Sequence, residues 1–324
     1  MGGHDDATRK PAAAGIAPAG APAPALSLII PAYNEASHLH ETLPRLRKEY
    51  LTDPSVELIV VDDGSTDGTA EVVERHIENW PTARLIRLPW NQGKGSAIKA
   101  GMALARGKRV IFMDADLSAD IADVPRLAAA LDHADVAIGS RSIAGSRVIY
   151  NQRRSIRKIQ SKFFNGVACA MVDIVASDTQ CGFKAFRADA GKMLFHLCEG
   201  KGFAFDVEVL ALAQLLQLRV TEVPVDWVES VGTTVRPVRD PFLMMRDLLR
   251  TRRRCRNLEE RAGRFIWEVR GPQQELDDAV ADVVGDRDMP RERAEVLLRL
   301  TGTDAVESTE DGTDPARPAP IRPD

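Results

Sequence analysis

Two acidic residues separated by one small residue follow a short apolar run near the middle of the chain. Asp114 and Asp116 come directly after Val110-Ile111-Phe112-Met113, which reads as a buried strand, so both are expected at the edge of a sheet. In an extended backbone, residues i and i+2 point to the same side. Paired carboxylates suit Mg²⁺ or Mn²⁺ shared with a diphosphate. The alternative without a function is that the two acidic residues are simply solvated in a loop.

Three other loops carry polar residues of the kind that bind nucleotides. They are Pro31 to Glu35 (PAYNE), Asp62 to Thr69 (DDGSTDGT) and Asn91 to Ala97 (NQGKGSA). The second loop could equally be a turn with a helix cap, because Asp, Ser and Gly favour such positions. The third can approach an anion through Lys94 and backbone N–H groups. It is not a P-loop, since Leu88 stands where that motif needs glycine, and no GxGxxG motif follows the first strand.

These loops follow short apolar runs that alternate with segments of helical length. The predicted strands are 26–30, 57–61, 84–88, 109–113 and 136–138, read as buried and parallel, and the intervening predicted helices are 35–50, 68–80 and 94–106. This succession predicts an α/β fold with a doubly wound, mostly parallel sheet flanked by helices. Such sheets bind ligands at the carboxyl ends of their strands, so the four loops are expected at one edge.

Composition limits the class of protein. The chain has 324 residues, 44% hydrophobic and 28% charged, with a net charge of -4, which excludes a disordered or collagen-like chain. The four cysteines form no metal-binding or disulfide pattern, so a cytoplasmic setting is expected. No apolar run is long enough to span a bilayer as a helix. A nucleic-acid partner is not expected, because acids outnumber bases and few aromatic residues lie among the bases.

Charge and composition divide the chain into segments. Residues 1–25 are predicted to be a disordered Ala/Pro-rich arm, 26–256 the α/β domain, 257–300 an acidic helical extension and 301–324 a disordered tail. Residues 257–324 contain 17 acidic residues and nine arginines, so their net charge is -8, which leaves +4 on residues 1–256.

Two basic segments lie in the second half of the α/β domain. Residues 151–162 contain five bases and no acid, and 236–256 contain eight arginines and two aspartates around an apolar stretch at helical spacing. The first is either a solvated helix face or a site for a phosphate. The second is either a helix packed on the domain or a peripheral contact with an anionic membrane surface, and these two interpretations are compatible.

Seven motifs in order resemble one known family. IIPAYNEA, VVDDGSTDGT, NQGKGSAIKAG, FMDADLS, GSR, DTQCGFKAF and FDVEVL are similar to motifs of the family-2 glycosyltransferases of GT-A fold, particularly the dolichyl-phosphate β-glucosyltransferase and mannose synthase branch. The resemblance covers about Leu26 to Leu249, and it implies that 26–256 is a GT-A glycosyltransferase domain in which 26–141 binds the nucleotide sugar and 142–256 the acceptor. It implies inverting transfer of a hexose from a nucleotide sugar to a polyprenyl phosphate, with Mg²⁺ or Mn²⁺, at the cytoplasmic face of a membrane.

The resemblance also implies roles for individual residues. The implied nucleotide-sugar contacts are Pro31, Tyr33, Glu35, Asp63, Asn91, Lys94, Gly95 and Asp114, and the implied metal ligands are Asp114 and Asp116. The implied acceptor-phosphate contacts are Arg141, Arg154, Arg157 and Ser161. Two positions depart from the family: Ser118 replaces a metal-binding glutamine of mannose synthases, and Thr234 stands where a lysine is usual.

The need for a catalytic base depends on the acceptor. A phosphate monoester has a second pKa of about 6 and is mostly dianionic at pH 7, so positioning matters more than a base. A hydroxyl acceptor requires a carboxylate base, for which Asp178 is the first candidate and Asp206 and Glu208 are weaker ones. We therefore assign two catalytic residues, which are Asp178 as the candidate base and Asp116 as an implied metal ligand.

Three questions stay open in the sequence. The donor is UDP-glucose or GDP-mannose, because no motif encodes base recognition. The acceptor is expected to be a lipid phosphate, with a soluble acceptor as the alternative. A protein of another class, a non-catalytic regulator that binds nucleotide sugars, is the third hypothesis.

Overall fold

The computed structural model describes residues 23–149, 166, 168, 171–172, 174, 176–202, 204–228 and 245–258. The basic run 151–162, the loop around Thr234 and the predicted helices of the acidic extension lie outside these residues. The chain divides into two compact units, 1–256 and 257–324. This division coincides with the change of charge at residue 257.

Strands and helices alternate through the first half of the chain, as expected. The described strands are β1 (Leu26–Ala32), β2 (Val56–Asp62), β3 (Ala83–Arg87), β4 (Arg109–Met113), β5 (Val136–Ser140), β6 (Arg147–Ile149), β7 (Phe183–Arg187), β8 (Val220–Pro224) and β9 (Asp226–Val228). The helices are α1 (Ala36–Tyr50), α2 (Thr69–Ile77), α3 (Lys94–Leu104), α4 (Val124–Ala130), α5 (Ala188–Leu197), α6 (Phe205–Leu215) and α7 (245–258), and a short 3₁₀ helix spans Ile121–Asp123. No helix among the described residues is long and apolar enough to cross a membrane.

The main sheet has seven strands in the order β3-β2-β1-β4-β7-β5-β8. Strand β7 runs antiparallel to both of its neighbours, and the other pairs are parallel. The carboxyl ends of β1 to β5 therefore meet at one edge, where β7 begins. The predicted mostly parallel sheet is confirmed. A second, two-stranded sheet pairs β6 with β9.

Helices cover both faces of the sheet because its central strands are apolar on both sides. Every residue of β1 and β2 is buried. On one face α1 contributes Leu39, Leu43 and Leu46, whose spacing places them on one side of the helix. On the other face the rings of Phe112, Phe186, Phe195 and Phe205 pack together, joining the sheet to α5 and α6.

One expectation about the elements is wrong. Residues 84–88 were expected as a buried strand, but β3 is an edge strand with half-buried side chains, because only β2 pairs with it. At the end of the predicted arm, the Pro24 carbonyl accepts from the Lys108 N–H and the Ala25 N–H donates to the Ser55 carbonyl.

Candidate active site

The loops after β1 and β2 are joined by hydrogen bonds at the carboxyl edge of the sheet. The Asn34 N–H donates to Ser65 Oγ at 2.9 Å, and the Thr66 N–H donates to Asn34 Oδ1 at 2.9 Å. Asn34 adopts a left-handed conformation with φ of 55°, which Asn tolerates better than most residues. Pro31 is buried within β1, one residue before its end, whereas the Tyr33 side chain is exposed. The hydrogen bonds therefore tie the first two loops together, and the first loop carries Tyr33 and Glu35.

Glu35 lies close to the acidic pair that follows β4. Burial raises the pKa of the Glu35 carboxyl, and the carboxylates of Asp116 and Asp114 raise it further, while a 2.5 Å hydrogen bond from His38 Nδ1 opposes both effects. Asp114 and Asp116 thus lie near enough to Glu35 to disfavour its ionised form.

Asp63 holds the glycine-containing loop that precedes α3. Its two carboxylate oxygens accept from the Gln92 and Gly93 N–H groups, both at 2.8 Å. Burial raises the pKa of Asp63, and these two hydrogen bonds counter the rise. Gly64 allows the β2 loop to approach the backbone of Trp90 closely, because a Cβ on this residue would lie 2.6 Å from that backbone. Asp63 thus connects the β2 loop to Gly93, with Asn91 exposed beside it.

Lys94, the first residue of α3, forms an ion pair with Asp114. Its Nζ lies 2.6 Å from Asp114 Oδ1. Burial acts against the charged ammonium, but the carboxylates of Asp114, Asp206 and Asp116 outweigh it and raise the pKa of Lys94. Lys94 therefore stays protonated and faces the acidic pair across the edge.

The acidic pair leaves β4 in a turn. The expected extended geometry of 114–116 is wrong, because the Leu117 N–H donates to the Asp114 carbonyl at 3.3 Å and Leu117 has a φ of 48°. Both carboxylates are nevertheless partly exposed, while Ala115 between them is buried. Ser118 donates from its N–H and its Oγ to the two oxygens of Asp116, at 3.0 and 2.8 Å. Ser118 thus orients Asp116.

The motif DTQCGFK packs against the site of the acidic pair. Lys184 Nζ is fully buried and donates to Asp206 Oδ1 at 2.5 Å and to the Cys181 carbonyl at 2.7 Å. Burial raises the pKa of Asp206, and the ammonium groups of Lys184 and Lys94 oppose the rise. Gly182 packs so tightly that a Cβ there would lie 2.0 Å from Asp114 Oδ2. The motif therefore limits the space that is available to the Asp114 carboxylate.

Asp178 and Arg141 form a bidentate ion pair at the end of β5. Arg141 Nε and Nη2 donate to the two Asp178 oxygens at 2.7 and 2.8 Å, and the Arg141 N–H adds a third bond at 3.0 Å. Burial acts to raise the pKa of Asp178, but the hydrogen bonds and charge of Arg141 outweigh it and lower the pKa. A carboxylate with a lowered pKa is a weak base. The guanidinium also lies 4.8 Å from the centre of the Trp227 ring.

The structure thus gathers most of the residues predicted for the donor half. Glu35, Asp63, Lys94, Asp114 and Asp116 meet at one edge of the sheet. Arg154, Arg157 and Ser161 lie outside the described residues, so their acceptor role stays a prediction. Sequence reasoning missed the supporting roles of Gly182 and Lys184. Their signal was present in DTQCGFK, but their partners are distant in the chain.

The acidic pair fits the divalent cation that the fold family implies. No three His, Cys, Asp or Glu side chains in the described part of the chain are grouped to hold a metal unaided. Mg²⁺ typically binds through one or two carboxylates and substrate phosphates instead of an all-protein cage. The hard, partly exposed oxygens of Asp114 and Asp116 match that donor set.

Residues 27–195 match the family described as Glycosyl transferase family 2, and the chain belongs to this family. The fold is that of the GT-A glycosyltransferases. It is similar to a solved mycobacterial protein, with a TM-score of 0.53 and 21% identity over 70% of this chain and 73% of that one. It is also similar to glucosyl-3-phosphoglycerate synthase from Mycobacterium tuberculosis, with a TM-score of 0.51 and 21% identity over 72% and 80% of the two chains.

Curated relatives are more similar in sequence. A dolichyl-phosphate beta-glucosyltransferase of Dictyostelium discoideum is 34% identical over 70% of this chain and 73% of that protein. The proteins of that name from Homo sapiens and Drosophila melanogaster are 33% and 36% identical, covering 70% and 69% of this chain and 75% and 73% of the relatives. The chain is therefore a glycosyltransferase, and the hypothesis of a non-catalytic regulator is set aside.

Proposed function

We propose that this glycosyltransferase transfers a hexose, with inversion, from a nucleotide sugar to a polyprenyl phosphate at a membrane surface. The names of the relatives at 32–36% identity support a dolichyl-type acceptor and favour glucose, and hence UDP-glucose over GDP-mannose. The observation that carries the proposal is the grouping of Glu35, Asp114, Asp116 and Lys94 at the carboxyl edge of the sheet. This edge can receive a diphosphate together with its cation.

The donor would be held by groups of the loops at the carboxyl edge and by the first residue of α3. Asp114 and Asp116 would hold Mg²⁺ or Mn²⁺, which supplies positive charge to the leaving diphosphate as the glycosidic bond breaks. Lys94 keeps its proton and places a second positive charge at the same edge. Asp63 fixes the loop of Gln92 and Gly93, so the donor meets a preorganised backbone.

The acceptor is better explained as a phosphate than as a hydroxyl. Asp178, our first candidate for a base, is committed to Arg141 through both oxygens, and its lowered pKa makes it a poor proton acceptor. A phosphate monoester, with a second pKa of about 6, needs little help to lose its proton at pH 7. We infer that Asp178 orients Arg141, which would face the acceptor phosphate.

A transfer assay tests the proposal. Purified protein is incubated with labelled UDP-glucose or GDP-mannose, Mg²⁺ or Mn²⁺, and vesicles containing a polyprenyl phosphate. We expect labelled lipid from UDP-glucose, its loss on chelation, and a decrease of roughly 10³-fold for Asp116→Asn. Transfer to water-soluble acceptors alone would replace this proposal with the soluble-acceptor alternative, and equal activity of Asp116→Asn would remove the metal assignment.

A further inference from the structure

The loop at the start of α3 packs against a second loop, residues 199–202, which sequence reasoning left without a role. The Gly95 N–H donates to the Lys201 carbonyl at 2.8 Å. A Cβ on Gly93 would lie 2.3 Å from the Lys201 carbonyl oxygen, and one on Gly95 would lie 2.4 Å from the Gly200 oxygen. The position of Gly93 to Gly95 therefore depends on where the 199–202 loop lies.

Glu208 on α6 sets the position of that second loop. Its side chain is only 5% exposed, and its two oxygens accept from the Glu199 N–H at 3.1 Å and the Gly200 N–H at 2.7 Å. The fit is close, since a Cβ on Gly200 would lie 2.8 Å from Glu208 Oε2. A buried carboxylate in this position requires a balancing positive charge.

Arg254 on α7 supplies that charge. Its Nη1 lies 3.0 Å from Glu208 Oε1 and 3.0 Å from Glu199 Oε2. Helix α7 is anchored by Leu248 and Thr251, both buried, and Asp247 lies beside Gly202. The contacts form a continuous series from α7 through Glu208 and the 199–202 loop to Gly95, next to Lys94.

We infer that Glu208 and Arg254 are positioning residues for the nucleotide-binding loop, so that α7 completes the donor site. This inference rests on the proposed function only in taking Gly93 to Gly95 as part of that site. Arg254 acts through Glu208 and the backbone of residues 199–202. Its loss should therefore affect the donor and not the acceptor.

The test compares Arg254→Gln with Arg253→Gln, which removes the same charge from an exposed neighbour on α7. Hydrogen exchange is measured on the full chain without ligand, and UDP binding is measured by calorimetry with Mn²⁺. For Arg254→Gln we expect at least tenfold faster exchange of the Gly95 amide. We also expect about tenfold weaker UDP binding and a similarly raised donor KM, with kcat and the acceptor KM unchanged.

Two further variants separate positioning from general stability. Arg254→Lys should restore most of the UDP affinity, because it keeps the charge beside Glu208. The double variant Glu208→Gln/Arg254→Gln should bind UDP no more weakly than Glu208→Gln alone, since both changes break the same series of contacts.

The outcomes distinguish this inference from the proposed function. Unchanged exchange at Gly95 in Arg254→Gln overturns the inference, even when lipid glucosylation is observed. An equal rise of the donor and acceptor KM also overturns it. Faster exchange at Gly95 combined with no nucleotide binding by the unmodified protein supports the positioning role and overturns the proposed function.

Discussion

At the scale of single residues, three carboxylates at or near the carboxyl edge are paired with a Lys or Arg side chain. Lys94 pairs with Asp114, Lys184 with Asp206 and Arg141 with Asp178. Burying an ion is costly unless a partner and hydrogen bonds compensate it, and each of these pairs supplies an opposite charge within hydrogen-bond distance.

Asp178→Asn should destabilise the fold in a pH-dependent way. At pH 7 we expect a loss of about 3 kcal/mol, because the change removes the buried carboxylate that accepts three hydrogen bonds from Arg141. The folded-state pKa of Asp178 lies below its unfolded value of about 3.9, so the native pair contributes fully above that pH and its contribution falls as the pH drops through the folded pKa. Urea unfolding at pH 7, 5 and 3 should show the difference between variant and native protein shrinking in acid.

The matched control for this prediction is Asp132→Asn, which breaks an exposed ion pair with Arg109. We expect it to cost about 1 kcal/mol or less at every pH, because exposed pairs contribute little. Equal losses from the two variants would contradict the importance assigned to the Arg141 pair.

Gly182→Ala should displace the Asp114 carboxylate. The added Cβ would lie 2.0 Å from Asp114 Oδ2, so either the carboxylate or β7 must move. We expect kcat/KM to fall about 100-fold, since a displacement of about 1 Å in a positioned group has this effect on catalysis. Gly166→Ala is the control, because no atom of the described residues lies within 4 Å of its new Cβ. Comparable activity of the two variants would argue against a role for Asp114.

At the scale of elements, loops that belong to different strands hold one another at the donor site. The Gly93 backbone is held between Asp63 on one side and the 199–202 loop on the other. This arrangement requires a residue without a side chain and with a positive φ, and Gly93 meets both requirements with φ of 97°.

Gly93→Ala should therefore separate the two loops. Gly68→Ala is a close control, because Gly68 also has a positive φ, 86°, but within the described part of the chain only Glu71 Oε2, at 3.9 Å, would meet its Cβ. Both variants should lose about 1 kcal/mol from backbone strain. Only Gly93→Ala should also weaken UDP binding, by about tenfold or more in calorimetry. Similar UDP affinities of the two variants would contradict the packing argument.

At the scale of the whole molecule, the net charge of -4 is the sum of two parts with opposite charge. Residues 1–256 carry +4 and the remainder carries -8. The described part of the basic segment is α7, where Arg252, Arg253 and Arg256 are exposed while Arg254 is committed to Glu208. The exposed arginines are therefore available to an anionic surface.

Replacing Arg252, Arg253 and Arg256 together by Gln should weaken binding to anionic vesicles. Each basic residue near such a surface contributes about 1 kcal/mol, so the triple variant should bind about 100-fold more weakly at low salt. Cosedimentation with phosphatidylserine vesicles measures this, with phosphatidylcholine vesicles as the control. UDP binding should be unchanged, and salt should reduce the difference between the proteins by screening. Undiminished vesicle binding would exclude α7 as the membrane contact.

Much of the fold was predictable because periodicity and turn chemistry are local. The strands that became β1, β2 and β4 are apolar runs that end in Pro, Asp or Gly-rich loops, and this alternation indicates a parallel sheet without further information. The burial of 84–88 was predicted wrongly because a β-rich run does not reveal whether it has one neighbour or two. The turn at Leu117 was missed for a similar reason, since nothing in the residue type demands a positive φ there.

The sequence by itself determined the first five strands and the first three helices, the family and the identity of the acidic and basic groups, because these depend on residue type and order. Only the tertiary structure decided which groups are partners. Asp178 meets Arg141 across 37 positions, and Glu208 meets Arg254 across 46. Whether a carboxylate acts as a base, a metal ligand or a fixed ion-pair partner depends on its burial and on the atoms that it touches. Those properties arise only when distant segments pack together.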